Sequence, residues 1–237
     1  MLRNPRFQTA VDRGFKSSLA RMLKAIIFDL DGVLVDTMQF IMAAYREGLA
    51  SVGVTATDEE IRNNAYDHPI EEIAKRFGIK DVTKFGIATR NAFNKYDKQG
   101  NLFPGALETL ELMKNIPKAI GTSRPRPSTL FLDHLDIYKY FKAFITSSDV
   151  TYTKPHPEIF QTAANELGVT ADEIIIVGDT PNDINAAKAM GSKCILFHSN
   201  HNLYTLKEME QLGPDFIVYN HKELQKIFKE QFALDGL

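Results

Sequence analysis

The amino-acid sequence predicts an α/β protein: a doubly wound parallel sheet interrupted by an inserted all-helical lobe. Three observations carry this reading. Short, continuous apolar runs rich in β-branched residues recur along the chain, as strands covered on both faces require. Segments with apolar residues every three or four positions separate them, the pattern of helices with one buried face. Residues 37–101 break the alternation, offering helical stretches and no convincing strand.

The first run, residues 24–30 (KAIIFDL), ends in an acidic loop. Helical patterns follow over residues 38–52, 58–65, 70–77 and 83–98, and residues 102–104 return the chain to the sheet. From there the pattern alternates. Strand-like runs at 118–122, 143–146, 173–178, 193–197 and, more weakly, 215–218 are interleaved with helical patterns at 105–114, 128–135, 157–167, 181–190 and 203–211. Alternation of this kind implies right-handed crossovers between parallel strands. Such sheets bind ligands at the carboxyl ends of their strands. The expected organisation is a core of residues 24–36 and 102–237, a helical lobe at 37–101, and an amino-terminal extension at 1–23.

Composition narrows the function classes. The 237 residues are 44% hydrophobic and 24% charged, enough for a sizeable core, and the net charge of −2 gives no basic field for nucleic acid. No apolar run approaches the ~20 residues of a membrane-spanning helix. The single cysteine, Cys194, allows neither an internal disulfide nor a thiolate zinc cage, and its apolar setting reads as an inert buried thiol. The expectation is a cytoplasmic protein, monomeric or weakly dimeric, with no nucleic-acid or membrane partner.

Residues 1–23 are the compositional exception. Arg3, Arg6, Arg13, Lys16 and Arg21 face one acid, Asp12, while Phe7, Val11, Phe15, Leu19 and Met22 recur at helical spacing. An organelle-targeting segment, a helix packed on the core, or an extension upstream of Met22 all fit this pattern.

The chemistry-bearing residues fall at strand ends. Asp29 and Asp31 follow the first strand, with Gly32 freeing the backbone beside them; Asp179 and Asp183 follow the fourth. Carboxylate oxygens are hard ligands suited to Mg²⁺, and four acids gathered on one edge would repel one another without a cation. Thr122 and Ser123 offer a hydroxyl and amides to an anion after the second strand, and Lys154 offers a cation after the third. Pro181 suits the first turn of a helix that Thr180 caps. Any one of these features alone is no more than a turn or a cap. Their order along the chain, each following a strand, is far more specific.

In that order the chain resembles the haloacid-dehalogenase-like hydrolase superfamily. The residues that carry the likeness are Asp-x-Asp-Gly at 29–32, Thr122, Lys154-Pro155 and Gly-Asp-x-x-x-Asp at 178–183, with the neighbourhoods FDLDGVLVDT, TKPHPEIF and IIIVGDTPNDINAAKAMGSKCILF. It looks like the phosphoglycolate-phosphatase and β-phosphoglucomutase-like branch, whose Rossmann-like core carries a helical cap after the first strand. The resemblance implies Mg²⁺-dependent hydrolysis of a small phosphorylated metabolite, such as phosphoglycolate or a sugar phosphate. Asp29 would be the nucleophile and Asp31 the general acid and base. Asp29, Asp179 and the Asp31 carbonyl would hold the metal, and Asp183 would orient Lys154 or a metal-bound water. Thr122, Ser123 and Lys154 would hold the phosphoryl oxygens.

Asp31 favours phosphoryl over carbon–halogen chemistry, because the family's dehalogenases lack an aspartate two residues after the nucleophile. The mutases carry a histidine about a dozen residues after it. Phe40-Ile41-Met42 stands there in this chain, so a sugar-phosphate mutase is the lesser alternative, and a non-catalytic binding protein the least. After Thr122-Ser123 the chain continues Arg124-Pro125-Arg126-Pro127, and one of these arginines is expected to meet a distal anionic group of the substrate. In the lobe, His68 or Arg62 is placed to face the substrate.

Overall fold

The computed structural model describes residues 23–66, 68–96, 99–125 and 135–232. Arg126, most of the helix expected at 128–135, and residues 1–22 of the basic extension lie outside them.

A six-stranded parallel sheet forms the core. Its strands are β1 (Ala25–Phe28), β4 (Lys118–Gly121), β5 (Ala143–Ile145), β6 (Ile174–Gly178), β7 (Lys193–Phe197) and β8 (Phe216–Val218), in the spatial order β5-β4-β1-β6-β7-β8. All five pairings are parallel. β1 is central, with Phe28 in register with Ile120 of β4 and Val177 of β6. The expected doubly wound sheet is therefore present, and each expected strand was placed to within two residues at either end.

Alternate side chains of one strand serve opposite faces. Ile26, Phe28, Ile175 and Val177 belong to one apolar cluster with Ala106 and Leu110 of helix α5 (Ala106–Leu112) and Leu224 and Phe228 of α9 (His221–Phe232). Ala25, Ile27, Ile174 and Ile176 face the other way. They pack with Ile159 and Phe160 of α6 (Glu158–Leu167), Ile184 of α7 (Pro181–Met190) and Met209 of α8 (Leu206–Gln211). Burial on both faces is why these strands read as unbroken apolar runs rather than as alternating ones. Cys194 lies in this second cluster, 1% exposed, and burial pushes its thiol pKa well up.

Between Phe28 and β4 the chain leaves the sheet. Two short strands, β2 (Val35–Asp36) and β3 (Asn101–Leu102), pair antiparallel, so the outgoing and returning chains run side by side. They are too short for any periodicity to announce them. From this ribbon hang four helices: α1 (Met38–Ser51), α2 (Asp58–Asn64), α3 (Ile70–Arg76) and α4 (Val82–Tyr96). They bury a cluster of their own, including Met42, Tyr45, Leu49, Ile61, Ile73 and Phe85. α1 and α4 approach closely at Gly48, where an added Cβ would lie 2.0 Å from Thr89 Oγ1. Thr57 starts α2 with a reciprocal cap, its hydroxyl accepting from Glu60 N–H while Glu60 accepts from Thr57 N–H.

Candidate active site

The carboxyl ends of β1, β4 and β6, the adjacent central strands, converge on one edge. Asp29 directly follows β1, Thr122 follows β4, and Asp179 follows β6. Lys154 comes from the connection between β5 and α6, where its peptide bond to Pro155 is cis. All four side chains are buried.

Lys154 organises this edge. Its Nζ lies 3.0 Å from Asp29 Oδ1 and 2.7 Å from Asp183 Oδ1, donates to the Gly121 carbonyl at 3.3 Å, and sits over the Phe160 ring. Asp183 is held as firmly. It occupies the third position of α7, where its Oδ2 accepts from Thr180 N–H at 3.0 Å and Thr180 Oγ1 at 2.7 Å. The same oxygen accepts from Asp179 N–H at 3.3 Å. One carboxylate therefore caps the helix with one oxygen and grips the lysine with the other.

The carboxylates are crowded. One carboxylate oxygen each of Asp29, Asp179 and Asp183 lies within 4.8 Å of the others. Burial, joined by the charges of Asp183 and Asp31 and opposed by Lys154, pushes Asp29 up to about 8. Burial, then Asp183 and Asp29, pushes Asp179 well above the usual carboxylate range. Asp179 Oδ1 is buried with no hydrogen-bond partner among the described residues. Gly32, at φ +74°, brings the loop backbone so near that a Cβ there would stand 2.0 Å from Asp179 Oδ2. A hard divalent cation fits this donor set: it would satisfy the orphaned oxygen and relieve the repulsion.

Asp31 lies close enough for its charge to act on Asp29 and Asp179. Its oxygens are engaged by Arg124, Nε to Oδ2 at 2.5 Å and Nη2 to Oδ1 at 2.8 Å, and by the Thr37 hydroxyl. Burial alone would raise its pKa; Arg124 and Thr37 outweigh it and hold the carboxyl below its usual range. Arg124 thus has an internal partner in Asp31. Its backbone is pinned, N–H to Thr122 Oγ1 at 3.2 Å and carbonyl to Ser147 N–H at 3.0 Å, so its side chain reaches Asp31 at the edge. Ser123 is exposed on the same loop. His68 lies on the helical insertion, 3.8 Å from Glu72, and burial and Arg76 lower its pKa. Arg62 donates to the Leu203 carbonyl at 2.8 Å.

A family model described as haloacid dehalogenase-like hydrolase matches residues 26–197, a span holding every strand-end residue above. The chain belongs to the haloacid dehalogenase-like hydrolase family. Among curated proteins this hydrolase is similar to a phosphoglycolate phosphatase of Photorhabdus laumondii, 31% identical over 221 residues, which are 88% of this chain and 93% of the relative. It is also similar to pyrophosphatase PpaX of Oceanobacillus iheyensis, 29% identical over 221 residues, covering 89% of this chain and 99% of the relative. A haloacid dehalogenase-like hydrolase from Streptococcus pneumoniae shares its fold, with a TM-score of 0.77 over 88% of this chain and 99% of that one at 22% identity. No described helix is long and apolar enough to cross a membrane.

Three contributors escaped sequence reasoning. Thr37 holds Asp31 but reads only as a helix start. Asn202 donates to the Asp179 carbonyl at 2.7 Å from a loop without pattern. His221, fully buried, links Thr109 Oγ1 at 3.1 Å to the Val33 carbonyl at 2.9 Å, anchoring the loop after Asp31. A histidine opening an amphipathic helix was the only hint of it.

Proposed function

We propose that this hydrolase is a phosphatase that cleaves a small phosphate monoester by double displacement through Asp29. The observation that carries the reading is Asp29, paired with Lys154 and two residues before Asp31, beside Asp179, whose Oδ1 has no hydrogen-bond partner among the described residues. Asp29 and Asp179, with the Asp31 carbonyl, would hold Mg²⁺, which when bound neutralises the carboxylates and the phosphoryl oxygens.

In the first step an Asp29 oxygen attacks phosphorus. The bond from phosphorus to the ester oxygen breaks, and Asp31 gives that oxygen its proton. In the second step water attacks the phospho-aspartate, Asp31 takes the water's proton, and the Asp29–phosphorus bond breaks to release phosphate. Thr122 Oγ1, the Ser123 amide and Lys154 Nζ hold the phosphoryl oxygens as charge moves between them. Asp183 keeps Lys154 in place. Residues 37–101 act as a cap that closes over the site and excludes water. Arg124 reads an anionic group on the leaving portion of the substrate; phosphoglycolate, which carries a carboxylate there, is the favoured type, and the Photorhabdus relative's name supports it.

A panel of phosphomonoesters with Mg²⁺, followed by phosphate release, tests this. Release of inorganic phosphate from a small monoester is expected. Positional isomerisation without net release would favour a mutase, and no turnover by the folded chain would overturn the enzyme reading.

A further inference from the structure

We propose that Asn202 is a positioning residue for Asp179, and that residues 199–205 form a strap tying that carboxylate to the helical insertion. The inference rests on the metal-binding reading of Asp179. It involves a residue beyond the 26–197 family match.

The Asp179 peptide groups are held from two sides. Its N–H donates to Asp183 Oδ2 at 3.3 Å, and its carbonyl accepts from Asn202 Nδ2 at 2.7 Å. Fixing both fixes the direction in which the side chain leaves the backbone. That matters here because Asp179 Oδ1 is buried with no hydrogen-bond partner among the described residues. The Asn202 amide is locked in turn. Its Oδ1 accepts from Tyr204 N–H at 2.8 Å, and the Asn202 backbone N–H donates to the Ser199 carbonyl at 3.1 Å.

The next two residues reach the insertion, Tyr204 while also packing against the core's second apolar cluster. The Leu203 carbonyl accepts from Arg62 of α2 at 2.8 Å. The Tyr204 ring lies 6.2 Å from that of Tyr66, and Leu203 and Tyr204 both pack against the insertion's apolar cluster. His201 Nδ1 sits 2.8 Å from Asp36 Oδ2, on the ribbon where the insertion joins the core. Three consecutive residues, 202 to 204, thus run from a candidate metal ligand to α2. Any shift of the insertion pulls on Leu203 and Tyr204, and through the Tyr204 N–H on the amide that holds Asp179. Cation affinity at the edge is thereby coupled to how the insertion is seated.

Calorimetric titration of the full chain with Mg²⁺ alone tests this without any turnover. Asn202→Ala is expected to weaken Mg²⁺ binding about tenfold or more, as loss of a partner that orients a metal ligand does. Arg62→Ala, whose contact is with the strap, is expected to weaken it about threefold. The double variant should bind no more weakly than Asn202→Ala, since both act through one linkage. Metal-free melting curves establish that each variant folds; should Asn202→Ala not fold, Arg62→Ala decides alone. Parent-like affinity in Arg62→Ala, or independent multiplication of the two losses, overturns the strap. A parent chain that binds no Mg²⁺ overturns the metal reading instead.

Discussion

Arg124 grips Asp31 through both of its carboxylate oxygens, at 2.5 and 2.8 Å, in a pair whose side chains are each 15% exposed. Forked pairing of this kind is strong and directional. It holds as an anion the group that, in the proposed cycle, must carry a proton to the leaving oxygen. The pair therefore has to loosen before chemistry, and an anion on the leaving portion of the substrate is a natural competitor for the guanidinium. Arg124→Ala is expected to lower kcat/KM on a carboxylate-bearing phosphomonoester about tenfold more than on a neutral one, the worth of a charged hydrogen bond. Steady-state kinetics on the two substrates checks this, and equal losses would sink it.

Asp29→Asn should remove turnover by at least ~10³-fold while the chain stays folded, because the amide cannot form the phospho-intermediate. Phosphate release together with circular dichroism gives both readings. Surviving activity would mean that another residue is the nucleophile.

The buried acids also set a pH dependence of stability. Asp29, raised from 3.8 to about 8, keeps in the folded state a proton that the unfolded chain has already released. Its contribution is full below about 4 and is lost as pH rises through 8. His221, lowered from 6.5 to about 4 by burial, works in the opposite sense: its contribution is full above 6.5 and is lost as pH falls through 4. The two oppose each other from pH 4 to 6.5, and above that range the acids act without His221. The melting temperature of metal-free protein is expected to fall from pH 6.5 to 8, and Asp29→Asn should flatten part of that fall. A parent melting temperature that rises over this range would contradict the assignment.

Gly32→Ala tests the close approach of loop and carboxylate. A Cβ at φ +74°, 2.0 Å from Asp179 Oδ2, must displace one of them. A loss of about 1–3 kcal/mol of stability is expected from the backbone conformation alone, with weakened Mg²⁺ binding besides. Urea unfolding and calorimetry measure the two separately.

The parts of the molecule that were legible were those with a repeating physical signature. Ile174–Val177 is apolar on both faces because helices cover both, and Pro181 and Thr180 mark the start of α7 on chemistry alone. The site's order along the chain followed from the strand ends. The partners of those residues were not legible. Arg124 and Asp31 are 93 residues apart, and Asn202 and Asp179 are 23 apart. Each of these contacts joins single residues on loops, and no periodicity connects a loop to its partner. Arg124 was singled out for its place beside Thr122-Ser123, but its contact with Asp31 was not legible, because a sequence does not show which acid is nearest.

The central position of β1 sets the order in which the chain can be completed as it is synthesised. Ala25–Phe28 emerges first among the described strands, yet its two neighbours are Lys118–Gly121 and Ile174–Gly178. The described helices between β2 and β3 are made while β1 still waits unpaired, and Leu203 and Tyr204, which pack against their cluster, come later. Asp29 acquires Lys154 only after the chain has passed residue 154, and Asp179 and Asp183 later still. Contacts of such long sequence separation form late. Chains halted before Ile174 therefore carry an insertion that still lacks Leu203 and Tyr204, on a sheet whose central strand has only one of its two neighbours.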